Sequence, residues 1–135
     1  MKPKCLCVVL LFMSVHVQAQ ERVYTFDNTL TNIPSNAFTN DQRKYPKESD
    51  FKVQAYASMS SADGERAALV TIKNTSSGNR FFESPHIMAL FADGQRVAPK
   101  MSADKYTVGG HDTLTLTLEF GRYNYPIVNV YTSNN

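Results

Sequence analysis

The stretch TLTLTLEF, Thr113–Phe120, decides the fold. Leu114, Leu116, Leu118 and Phe120 occupy every second position, and Thr115, Thr117 and Glu119 lie between them. A strand with one buried face produces this period of two, and a helix does not. Outward from it, Gly109-Gly110 turns the chain after a short strand at Lys105–Val108. On the other side a turn at Arg122–Tyr125, closed by Pro126, leads into a last strand at Ile127–Thr132. Asp93-Gly94 is a two-residue hairpin signal between HIMALFA (His86–Ala92) and QRVAP (Gln95–Pro99). Further back, Phe51, Val53, Ala55, Ala57 and Met59 alternate with Lys52, Gln54, Tyr56 and Ser58, so the first set is expected to face the core. A turn at Ser61–Gly64 then separates that strand from Arg66–Asn74. Arg80–Glu83 is a short aromatic strand, which Pro85 ends. Val23–Phe26 is a short first strand.

Seven or eight short strands with regular turn signals, and no helical run of comparable quality, predict an all-β antiparallel sandwich. Alternation, rather than continuous apolar runs, favours antiparallel sheets with one solvated face.

Residues 1–19 read as a signal peptide. Lys2 and Lys4 form a positive start, and Cys5–Val15 is apolar. Val17 and Ala19 suit the −3 and −1 pockets of a signal peptidase, which places cleavage after Ala19. The apolar run is about eleven residues, short of the ~20 that span a bilayer as a helix. An N-terminal membrane anchor or a buried helix is the competing reading. Cys5 and Cys7 are the only cysteines and leave with the leader, so the mature chain has neither a thiol nucleophile nor a thiolate metal site. Residues 20–50 divide into the first strand and a polar arm, Asp27–Asp50, rich in Asn, Ser, Thr and Pro. Residues 51–135 are the sandwich domain.

The 14 basic and 12 acidic residues balance closely, so there is no strong basic field to suggest nucleic acid. A mature chain of roughly 116 residues can build one core without cross-links. The reading is therefore a periplasmic or secreted single domain with no membrane span after its leader.

VTIKNTSSG (Val70–Gly78), LFADGQRVAP (Leu90–Pro99) and VGGHDTLTLTLEF (Val108–Phe120) resemble the strand ends and turns of small exported bacterial immunoglobulin-like domains. The likeness spans about half the chain and rests on turn and core positions. It implies an immunoglobulin-like β-sandwich that serves as a binding or assembly module, and it imports no activity. The chain also carries a fainter similarity to periplasmic copper chaperones of cupredoxin-like fold, through His86-Ile87-Met88. In a strand His86 and Met88 would share a face, and their imidazole and thioether suit Cu(I). Copper binding by this pair is the alternative to a chain without a cofactor. It departs from that family in lacking an upstream His or Met cluster.

No residue pattern calls for catalysis. His111-Asp112 reads as a solvated turn, Ser84 lacks the glycines of a nucleophile elbow, and no glycine-rich phosphate loop follows a strand. Glu83, Asp93, Asp104 and Glu119 read as solvated carboxylates. The aromatic residues Tyr45, Phe81, Phe82, Tyr123 and Tyr125 are the candidate contacts with a protein partner, because such side chains combine apolar area with little lost entropy. Phe81 and Phe82 must face opposite ways in a strand, which sends one of them out of the core. The expected function is non-enzymatic: envelope assembly, a secretion accessory role, or inhibition or immunity. The expected means is strand addition or docking of the arm.

Overall fold

The computed structural model describes residues 21–27, 33–34, 36–38 and 44–135. The signal-peptide reading, and nearly half of the arm, fall outside the described residues.

Among those residues are nine strands: β1 (Tyr24–Phe26), β2 (Phe51–Ser61), β3 (Glu65–Asn74), β4 (Arg80–Phe82), β5 (Ile87–Phe91), β6 (Arg96–Val97), β7 (Tyr106–Val108), β8 (Thr113–Arg122) and β9 (Ile127–Thr132). One 3-10 turn, Ser84–His86, stands where the last residue was expected to open a strand, because Pro85 favours the tight turn over the ladder. A four-stranded sheet has the order β1-β2-β3-β8 and a three-stranded sheet the order β6-β5-β9. A small ribbon pairs β4 with β7. Every pairing is antiparallel. No described helix is long and apolar enough to cross a membrane.

The core lies between the sheets. Ala68, Val70 and Ile72 of β3 stand opposite Leu118, Leu116 and Leu114 of β8. Facing them are Ile87, Ala89 and Phe91 of β5 with Ile127 and Val130 of β9, and Phe82 and Val108 come from the ribbon. Leu118 is fully buried, whereas Leu114 and Leu116, nearer the start of β8, are half-buried. The expected inward face of β8 is therefore the observed one.

The expected face of β2 holds for only part of its length. Phe51 and Val53 point inward, but the register with β3 shifts between Val53 and Ala55. One extra residue inverts every later position. Tyr56 thus stands opposite Val70 and packs against the core. Ala55 and Ala57, opposite Thr71 and Leu69, face outward. Met59 pairs with Ala67 on that same outer face, and both are buried.

Local chemistry sets the turns. Gly64 and Gly94 have φ of 85° and 90°, in the region that favours glycine, and each closes a hairpin. Gly94 also lies against the ring of Phe38, where a Cβ would come within 3.2 Å, so the arm rests on this hairpin.

Candidate binding surface

One side of the sandwich is closed by side chains rather than by a backbone ladder. At one end, the Thr132 hydroxyl donates to the Phe51 carbonyl at 2.7 Å, and the Asn134 amide to the same oxygen at 2.8 Å. Asn135 accepts the Val53 N–H at 3.0 Å and donates to the Val53 carbonyl at 3.2 Å. At the other end the arm makes the closure: Asp27 N–H donates to Ser58 O at 2.9 Å and Ile33 N–H to Val128 O at 3.1 Å. The Tyr56 hydroxyl reaches the same Val128 oxygen at 3.2 Å.

Between these two clamps runs an open groove of about 910 Å³, with Gln54, Ala55, Tyr56 and Ala57 on one wall and Asn129, Val130 and Tyr131 on the other. Ala55–Ala57 of β2 ladder with β3, and Asn129–Tyr131 of β9 with β5, so the groove runs between a strand of each sheet. Two strands, one from each sheet, therefore flank the groove. An extended peptide binds strand edges through main-chain hydrogen bonds and alternate side-chain pockets.

The arm also covers the outer face of the three-stranded sheet. Ile33 and Phe38 pack on Leu90, Val128 and Tyr131. Beside them is a smaller hollow of about 310 Å³ lined by Lys44, Tyr45, Pro46, Arg96 and Tyr131. There Arg96 Nη1 donates to the Tyr131 hydroxyl at 3.1 Å, and that hydroxyl donates to the Lys44 carbonyl at 3.3 Å.

The five aromatic candidates do not form one patch. Tyr45 is 73% exposed at the rim of the smaller hollow. Phe81, 52% exposed, lies under the Lys105 ammonium at 4.2 Å, on the ribbon. Phe82, expected among the contacts, is fully buried and stacks edge-on against Phe51. It belongs to the core because β4 can turn only one of the neighbouring pair outward. Tyr123 packs its ring on Phe91 at 4.3 Å, so it too is largely structural. Tyr125 is 51% exposed in the β8–β9 turn. That turn lies with the β2–β3 turn, through Tyr123 N–H to Gly64 O at 3.2 Å, far from the end where β2 and β9 are clamped.

His86 and Met88 do not share a face. His86 closes the 3-10 turn with its ring against Phe51 and Phe82, on the core side. Met88 lies on the opposite face of β5, with Leu90 and Tyr131. The 3-10 turn breaks the strand alternation on which the pairing depended. No group of three or more His, Cys, Asp or Glu side chains is placed to hold a metal ion among the described residues.

The His86 environment has a consequence for pH. Its Nδ1 accepts the Glu83 backbone N–H at 3.0 Å, which leaves the proton of the neutral ring on Nε2. Burial lowers its pKa from the ordinary 6.5. The Glu83 carboxylate opposes this, and Lys47 reinforces it. The unfolded chain therefore binds this proton more readily than the folded one. The His86 contribution to stability is complete above about pH 6.5 and declines as the pH falls through the histidine range. Melting temperatures measured from pH 7 to pH 5 are expected to fall more steeply for the wild type than for His86→Gln. Parallel curves would contradict this assignment.

The groove was not legible from local pattern, since its walls are about seventy residues apart in the chain. Its one available signal was the pair of terminal asparagines, whose side chains can mimic backbone partners. No family model, no curated protein and no solved structure matches the chain.

Proposed function

We propose that the protein is an exported, non-enzymatic binding module of the cell envelope, which takes up an extended segment of a protein partner in the groove between β2 and β9. The observation that carries this reading is the open groove itself, about 910 Å³, walled by Gln54–Ala57 of β2 and by Asn129–Tyr131 of β9. The lining mixes small apolar, aromatic and amide side chains, which suits a peptide backbone with alternating side chains better than a charged small molecule. The signal-like leader and the resemblance to exported immunoglobulin-like modules support the same reading. On this proposal the compartment is the periplasm or the exterior, and the role is assembly, secretion or inhibition.

The test is site-specific photo-crosslinking in the native host. A photoreactive residue at Gln54 or Asn129 is expected to capture one discrete partner, and the same residue at Asp63, in the exposed β2–β3 turn, none. Ala57→Arg, which places a long cation on the wall of the groove, is expected to weaken capture at least ~10-fold, about 1.4 kcal/mol. Equal adducts from all three positions, or none from the groove, would overturn the proposal.

A further inference from the structure

We propose that the free edge of β8 pairs with β8 of a second copy of this chain, antiparallel across a two-fold axis at Thr115, to make one continuous eight-stranded sheet. The four-stranded sheet ends on β8. On the side away from β3, among the described residues, only Glu119 is bridged, by Lys100, whose N–H donates to the Glu119 carbonyl at 2.7 Å. From Thr113 to Leu118 the described residues supply no backbone partner on that side. The other edges of the two larger sheets differ: β9 and β2 are clamped at either end of the groove by Thr132, Asn134, Asn135 and the arm, β1 is three residues long and β6 two. Sheet edges are ordinarily protected by charges, prolines, bulges or short length. Thr113–Leu118 has no charge and no proline, and no register shift falls within it.

The occupant follows from the sequence of the edge. With Thr115 on a two-fold axis, Thr113 stands opposite the partner's Thr117, and Leu114 opposite the partner's Leu116. Residues directly opposite share a face, so threonine meets threonine outside and leucine meets leucine inside. Leu114 and Leu116 are the inward β8 leucines left half-buried, and this pairing covers them. The same register brings the partner's Asp112 to the end of the lane that Lys100 occupies, so opposite charges meet at both ends of the junction. A six-residue pairing is small for an interface, which implies association in the micromolar range. This edge lies across the sheet from the groove, so the failure of either proposal leaves the other standing.

Sedimentation of the purified protein is expected to show a concentration-dependent monomer–dimer equilibrium. Thr115→Lys and Thr115→Glu each place a like charge against itself at the axis, and each is expected to be monomeric while keeping its urea midpoint. An equimolar mixture of the two is expected to dimerise again. As a check on register, Thr115→Cys is expected to cross-link readily, because Cβ atoms of opposed residues lie about 4.5–5.5 Å apart. Thr113→Cys, away from the axis, is expected not to. A monomeric wild type overturns the proposal, as does a dimer unaffected by both charges, or a monomer that accepts only a foreign strand at this edge.

Discussion

Asn74→Ala is expected to lower the unfolding free energy by about 3 kcal/mol or more, read from urea denaturation followed by far-UV circular dichroism. Asn74 is fully buried at the end of β3. Its amide nitrogen lies 2.8 Å from the Gly78 carbonyl, 3.0 Å from Val108 O and 3.0 Å from Gly109 O. Its amide oxygen accepts the Ser76 N–H at 3.0 Å and the Ser76 hydroxyl at 2.8 Å. One side chain thus joins the loop after β3 to the turn between β7 and β8. Alanine leaves this group of carbonyls and donors without it, and each unsatisfied buried group costs about 1–3 kcal/mol. Asn74→Asp is the sharper variant. It keeps the contacts to Ser76 but turns a negative oxygen toward three carbonyls, so its loss is expected to equal or exceed that of alanine. Ser76→Ala, which removes one hydroxyl from the same network, is expected to cost about 1 kcal/mol. A ranking with Asn74→Asp near wild type would mean that the two loops are held together by other contacts.

The position of Asn74 shows where the sequence could be read and where it could not. VTIKNTSSG marked the end of a strand and a turn, and both are found there. The spatial role of the asparagine was not legible, because its carbonyl partners at Val108 and Gly109 are more than thirty residues away in the chain. The strands of the domain were legible for a local reason: alternation and glycine turns report on neighbours within a few residues. TLTLTLEF kept its phase because β8 pairs with β3 without interruption from Thr113 to Leu118. FKVQAYASM did not, because the bulge after Val53 depends on fitting β2 to β3, and composition carries no trace of that fit. The candidate site followed the same division. Exposure of one of Phe81 and Phe82 followed from strand geometry alone. The groove needed β2 and β9 brought side by side, and the separation of His86 from Met88 needed a 3-10 turn in place of a strand.

The two phenylalanines also supply the sharpest test of how the ribbon closes the core. Phe82→Ala is expected to cost about 3–5 kcal/mol, the usual range for removing a buried aromatic side chain. The ring is fully buried and meets Phe51 edge-on, with centroids 5.1 Å apart and planes at 79°. A double-mutant cycle of Phe51→Ala and Phe82→Ala is expected to return a coupling of about 0.5–1.5 kcal/mol beyond area burial. Phe81→Ala, one residue away, is expected to cost less than about 1 kcal/mol, because it removes an exposed ring and one contact with Lys105. Equal losses for the two would mean that β4 does not present a single inward face. The pH response adds a second, independent readout. Phe82 is one of the two rings that keep water from His86, so truncating it rehydrates the imidazole and relaxes its lowered pKa toward the ordinary value. Phe82→Ala is therefore expected to be less stable than the wild type throughout, yet to lose less of its remaining stability between pH 7 and pH 5. Phe81→Ala should keep the steeper wild-type dependence. A loss of stability alone could come from any cavity. Loss of stability together with a flattened pH profile would locate the cavity beside His86, where the ribbon, the 3-10 turn and the start of β2 meet.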